Sequence, residues 1–399
     1  MIAARSRSLD VFRGITVCFM IIVNMPGNYS TTYAPLLHAH WHGFTPTDLV
    51  FPSFLFAVGN AMSFVMVKWR QMLPQKVLWK ILKRTFIIFL LGYLMYWFPF
   101  FYHNAKMELI FSPFSHTRVF GVLQRIALCF MLAALLLYYL KPKTTYIIAI
   151  IILLLYWLVM MLFGDGTDPL SMQGNAGFKL DMWLLGADHL YHGEGVAFDP
   201  EGLLSAFPAT VNVIAGFWVG EHIRTKGQSY EMLSKLLLFA IGCVAIGYVW
   251  DWFFPINKKL WTSSYVFYSV GLSSSVLAMV IFIIDYLKKD RWAYFFEVFG
   301  KNPLFIYLLS EVVAILLWFI PAAMPNGKHE ALYQRIYDVV FQPAGVYFGS
   351  FLFAIIYMLL TWAAGWLLDK RKIYYKSLNK TKQVSEQRTY SFQLIRLLL

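Results

Sequence analysis

Three histidines alternate along Leu37-His38-Ala39-His40-Trp41-His42-Gly43, between Asn24 on one side and Asp48, in Thr45-Pro46-Thr47-Asp48-Leu49-Val50-Phe51-Pro52, on the other. A neutral imidazole can take a proton from an attacking amine or attack a thioester itself. An Asn amide can donate to the oxyanion formed when an acyl carbon is attacked, and an Asp can fix a histidine tautomer or hold an amine. Three readings of His38, His40 and His42 compete. At i, i+2 and i+4 of an extended segment they share one side, as a metal site requires, although the Glu-spaced His pair of a hydrolytic zinc helix is missing. They could equally hydrogen-bond loop backbone, or at least one could be catalytic. The residues by themselves leave all three open.

Charge inside apolar runs is the second chemical signal. Arg118 and Arg125 are seven apart, a spacing that shares one helical face, and Arg125 in Gly121-Val122-Leu123-Gln124-Arg125-Ile126-Ala127 falls about two turns deep. A buried cation there costs several kcal/mol unless it is paired or lies in a wet cavity. It is either an ion-pair partner of Asp48, Asp251 or Glu311 or a ligand for a phosphate or carbonyl of an anionic cofactor. Glu311 in Leu308-Leu309-Ser310-Glu311-Val312 is the second intramembrane charge. Asp10 and Arg13, at i, i+3, read as a local ion pair at a helix end.

These groups need elements to position them, and the composition says which. Of 399 residues 59% are hydrophobic and 14% charged, against about a quarter charged in a soluble domain. No soluble core of this length hides so much apolar surface. Apolar runs at 11–26, 48–67, 85–101, 118–140, 145–163, 203–220, 236–254, 264–287, 302–320 and 346–368 predict an all-α, polytopic bundle of about ten spanning helices, since about 20 helical residues cross a bilayer. Placing the N-terminus inside puts 26 of the 34 basic residues in inner segments, which predicts both termini in the cytoplasm. The exceptions are Lys106, Arg118, Arg125, Lys179, Lys258, Lys259, Lys328 and Arg335. Loops 26–47 and 164–202 then face outward, and long polar loops of this kind carry function or cover a site. Residues 1–376 are expected to form one membrane domain, followed by a basic cytoplasmic tail at 377–399.

Several function classes drop out. The net charge of +13 is spread over short clusters between apolar runs, so nucleic acid is not an expected partner. Cys18, Cys129 and Cys243 lie singly in apolar runs and suggest no disulfide. No Walker loop, dinucleotide fingerprint or G-x-S-x-G elbow occurs.

The order Ser8-Leu9-Asp10-Val11-Phe12-Arg13-Gly14, Val23-Asn24, H-A-x-W-x-G, T-x-x-D-L-V-F-P and F-x-V-G within residues 8–59 resembles the heparan-alpha-glucosaminide N-acetyltransferase family and its bacterial relatives. Residues 121–127, Phe198-Asp199-Pro200-Glu201-Gly202, the stretch from Pro255 to Tyr265, and Gly300 to Tyr307 with Glu311 extend the resemblance over nearly the whole chain. It implies a transmembrane acyltransferase fold in a bacterial inner membrane, with cytosolic acetyl-CoA as donor, a glucosamine-type amine as acceptor on the far side, and no metal. The family's catalytic His falls on His38 and its Asn on Asn24, with Asp48 beside them. Arg125, Arg118 and Lys301 are the expected cofactor ligands, and His42, Trp41, Glu311 and Asp199 the expected substrate ligands. Membrane lipid is an expected partner, and a homodimer is compatible with the sequence. Some bacterial relatives are described as amino-sugar transporters, so transport of N-acetylglucosamine is the alternative.

Overall fold

The computed structural model describes residues 7–104, 106–324 and 329–374. The expected tail at 377–399 lies outside the described residues. The described chain is mostly helical: α1 (Arg7–Asn24), α2 (Val50–Trp69), α3 (Pro74–Trp97), α4 (Val122–Tyr139), α5 (Pro142–Phe163), a short α6 (Ala176–Leu185), α7 (Ala206–Lys226), α8 (Tyr230–Asp251), α9 (Ser263–Ile281), α10 (Ala293–Lys301), α11 (Pro303–Phe319), a five-residue α12 (Leu332–Ile336) and α13 (Val346–Lys370). Two small antiparallel hairpins, β1 (Phe101–His103) with β2 (Leu109–Phe111) and β3 (Pro321–Ala323) with β4 (His329–Ala331), close the turns after α3 and α11.

Six stretches are long and apolar enough to cross a membrane: Pro46–Trp69, Val122–Tyr139, Pro142–Phe163, Tyr230–Asp251, Ser263–Tyr286 and Val346–Lys370. α10 and α11, bent by 82° at Asn302, make a seventh if taken as one broken span. The other three expected runs also fold as helices, α1, α3 and α7, but they carry more polar groups. α1 holds Arg7, Asp10 and Arg13, and α3 holds Lys76, Lys80, Lys83 and Arg84. α7 is buried in protein from Ala206 to Gly220 except at Phe207 and Trp218, so it has little need of a lipid-compatible surface. Asp10 and Arg13 form the expected ion pair at 2.6 Å.

α2 and α7 pack backbone to backbone. A Cβ on Gly59 would stand 1.9 Å from the Val213 carbonyl, and one on Gly216 would stand 2.0 Å from the Phe56 carbonyl. Small residues at crossing points let helices approach this closely in a membrane. Gly216→Val is therefore expected to force the pair apart and cost at least about 3 kcal/mol, read as a lowered thermal midpoint in detergent.

The connections sort to two ends. At one end meet the segments 25–49, 98–104, 106–121, 164–205, 252–262, 320–324 and 329–345, tied by Gly43 N–H to the Ile256 carbonyl, Trp41 to the Leu170 carbonyl, Arg118 to Asp199 and the Tyr333 hydroxyl to the Pro26 carbonyl. At the other, Arg13 bonds the Gly300 carbonyl and Lys301 pairs with Asp369 at 3.0 Å. The expected site residues divide between these ends.

Candidate functional site

Asp48 lies in the 3-10 turn Pro46–Leu49 that leads into α2, and its carboxylate is a fixed acceptor. Oδ2 accepts from the backbone N–H groups of Thr45 (2.9 Å) and Ala39 (3.1 Å) and lies 3.0 Å from the Thr45 hydroxyl, while Oδ1 is 2.7 Å from His38 Nδ1. The Thr45 hydroxyl also reaches the Leu37 carbonyl (2.7 Å), and the Tyr265 hydroxyl donates to the Asp48 carbonyl (2.7 Å). The Asp48 side chain is 1% exposed, and three N–H donors facing one buried carboxyl keep it anionic in role. An anionic acceptor at Nδ1 places the His38 proton there and leaves the Nε2 lone pair outward.

His38 Nε2 faces Lys258 Nζ at 3.1 Å. Burial, then the Lys258 charge, pull the His38 pKa below its ordinary value, against the Asp48 hydrogen bond that raises it. Burial likewise pulls Lys258 down, against Glu201 and Asp48. His38 is thus a neutral, oriented base at neutral pH. Lys258 and Glu201 were given no role by sequence reasoning. The available signal was that Lys258 is one of the few lysines outside the basic segments.

The loop bearing Lys258 is clamped to the histidine segment along its length. Lys259 bonds the His40 carbonyl (3.1 Å) and Glu194 (2.6 Å), and Asn257 Nδ2 lies 3.4 Å from His42 Nδ1. Burial pulls the His42 pKa below its ordinary value. The His38 and His42 imidazoles therefore go to different neighbours, and His40 is held through its backbone carbonyl; among the described residues no group of three or more His, Cys, Asp or Glu side chains could hold a metal ion. Trp41, besides its bond to Leu170, packs edge-on against Phe198 at 5.7 Å.

Arg118 and Asp199, expected to serve separate ligands, bind each other. Arg118 forks onto Asp199 (2.9 and 2.6 Å), reaches Glu201 (2.6 Å), and lies over the Tyr191 ring (4.5 Å). Burial pushes the Asp199 carboxyl up; burial also acts to raise Glu201, but Arg118 and Lys258 hold it below the ordinary range. Arg118 precedes α4, so it does not share a helical face with Arg125, which sits in the first turn.

Arg125 is 1% exposed, and of the two readings open for it the ion pair finds no acid among the described residues. Its Nη2 donates to the Gly202 carbonyl (3.1 Å) and to Ser205, and its guanidinium lies 4.8 Å from the Trp261 ring centre. Among the described residues Nε and Nη1 have no hydrogen-bond partner. Two buried donors without acceptors mark a place for an oxygen-rich group. Trp261 itself holds φ +56°, fixed by an indole bond to Asn212 (3.0 Å). Gly202 has no room for a side chain, because a Cβ would stand 1.8 Å from Asp181 Oδ2. Burial pushes that Asp181 carboxyl up to about 7.

Asn24 and Glu311, assigned separate roles by the sequence, face each other at 3.5 Å. They line a cavity of about 490 Å³ walled by Met25, Pro99, Trp318 and Phe319. His38 is not in its lining. Lys301 lies at the opposite end of the chain's helices, paired with Asp369 beside the Tyr294 ring.

Fold and site together define an integral, multi-pass helical membrane protein with a carboxylate-oriented imidazole gathered among the loops at one end. Residues 5–230 match the family described as Heparan-alpha-glucosaminide N-acetyltransferase, catalytic. The human heparan-alpha-glucosaminide N-acetyltransferase is 28% identical over 391 residues, covering 83% of this chain and 57% of the relative. The mouse protein of the same name is 28% identical over 372 residues, covering 78% and 54%. The chain thus spans a little over half the length of these curated relatives. It belongs to the heparan-alpha-glucosaminide N-acetyltransferase catalytic family.

Proposed function

We propose that this protein is a transmembrane N-acetyltransferase that moves an acetyl group from acetyl-CoA to the amine of a glucosamine-type sugar. The observation that carries this reading is the Asp48–His38 pair: a buried carboxylate holds the imidazole with its basic nitrogen outward, and the pair falls in the matched family segment. On this reading all ten helical runs cross the inner membrane of a bacterium, and both termini are cytoplasmic. The donor enters at the basic end, where Lys301 and its neighbours meet its phosphates. The thioester is then delivered through the bundle to the far end. Family membership favours the enzyme over a transporter, and the single helix break among the described residues, at Asn302, has no matched counterpart there.

The residues divide the work. His38 either captures the acetyl group at Nε2 or removes a proton from the sugar amine as it attacks. The Asn24–Glu311 cavity holds the body of the acceptor, the amide and the carboxylate binding sugar hydroxyls, while the amine is presented to His38. Trp41 and His42 shape the rim, and the Arg118–Asp199 pair anchors the loop that carries Glu201. Arg125 offers Nε and Nη1 to the carbonyl oxygen or to a donor amide.

The test is transfer of radiolabelled acetyl from acetyl-CoA to glucosamine by the purified protein; absence of transfer by the native chain overturns the reading. A second measurement concerns Arg125. Arg125→Met is expected to keep the thermal midpoint, since a poorly paired buried cation is exchanged for an apolar chain of similar length. It should lower kcat/KM by about a hundredfold.

A further inference from the structure

We propose that Lys258 is an internal acetyl acceptor, its side-chain amine occupying the seat on His38 that the sugar amine takes during turnover. This rests on the acetyltransferase reading and adds a modification site to it. Lys258 Nζ stands 3.1 Å from His38 Nε2, within direct proton-transfer range of the outward lone pair. A protonated glucosamine amine and a lysine ammonium are the same kind of group, so a site that positions one against Nε2 positions the other. The surroundings suit an amine: Glu201 and Asp48 act on Lys258 as stabilising negative charges, while Lys259 is diverted to Glu194 and the His40 carbonyl. The seat is built from the backbone up. Asn257 fixes the turn through its N–H to Thr262 (3.0 Å) and its side-chain oxygen to the Leu260 N–H (2.9 Å), and the Gly43–Ile256 bond holds that turn against the histidine segment.

The chemistry balances without a further reactant. His38 takes one proton from the Lys258 ammonium, and the freed amine attacks the acetyl carbonyl of the thioester. An N–C bond forms, the C–S bond breaks, and the thiolate leaves with the proton carried by His38. The second proton lost from nitrogen passes to solvent, leaving an acetamide on Lys258 and free thiol. Burial of Lys258 in the clamped loop enlarges its neutral, nucleophilic fraction. With a sugar bound the lysine is displaced from Nε2, so acceptor and lysine compete for one acetyl group.

The experiment incubates the purified full chain with acetyl-CoA alone and with excess glucosamine, then maps acetylated peptides by mass spectrometry and measures N-acetylglucosamine in parallel. The expected result is acetyl on Lys258 in the absence of sugar, approaching one group per chain, and suppressed at least about tenfold by glucosamine through competition for one site. His38→Ala should lower the labelling rate by about a hundredfold or more. Turnover of the sugar with no acetyl on Lys258, or labelling of Lys258 undiminished in His38→Ala, overturns the internal-acceptor proposal and leaves the acetyltransferase reading standing. Neither sugar product nor labelled lysine overturns both.

Discussion

His38→Ala is expected to lower kcat for acetyl transfer by about a thousandfold, the scale of losing a positioned base or nucleophile. The side chain is 39% exposed and reaches Asp48 and Lys258, so its removal opens no core cavity and the thermal midpoint should move by only about a degree or two. The accompanying pH profile is specific. Activity requires the neutral imidazole, and burial together with Lys258 pulls the His38 pKa below 6.5. The wild-type rate should therefore be flat through neutrality and fall only as pH drops into the acid range. Lys258→Met removes the charge that opposes protonation, so its acid limb should move to higher pH. Transfer undiminished in His38→Ala would assign the chemistry elsewhere.

How far the sequence revealed this arrangement differs by level. Ten helical segments were readable because apolar length is a local property, and all ten exist as helices in the described chain. Membrane crossing was less readable where polar groups interrupt the apolar run: α3 carries four basic residues, and α7, shielded by its neighbours, carries Asn212 where a lipid-facing helix would not. The helix ends were less legible. α4 begins at Val122, so Arg118 lies in the preceding loop and forks onto Asp199, a contact across 81 residues that no periodicity reveals.

At the site, residue types were legible and partnerships were not. His38, Asp48 and Asn24 stand in one short stretch, and their chemistry could be named from type and spacing. That Asp48 orients His38 while Asn24 faces Glu311 instead depends on where α11 packs. One signal deserved more weight. The basic residues that break the inside bias are few, and among them Arg118, Arg125, Lys258 and Lys259 all contact the site's loops or buried acids. A cation placed against the topological rule needs a local reason, and in these four cases the reason is an acid, a carbonyl or an imidazole.

Asp48→Asn separates orientation from architecture more sharply than any other change. Two backbone donors, Ala39 N and Thr45 N, converge on Oδ2, so the asparagine must leave its one oxygen there. The amide nitrogen then faces His38 Nδ1, and two donors cannot share a hydrogen bond. The imidazole answers by moving its proton to Nε2, turning the lone pair inward and a proton toward Lys258. The base is still present but reversed. kcat is expected to fall by about a hundredfold to ten-thousandfold, with the sugar KM little changed because the Asn24–Glu311 cavity is untouched. Asp48→Ala would instead strand buried donors and cost a few kcal/mol of stability. A folded but inactive Asn variant, beside a destabilised Ala variant, would therefore separate the carboxylate's work on the imidazole from its work in the turn that leads into α2. Full activity in Asp48→Asn would mean that the tautomer of His38 is set by something other than this carboxylate.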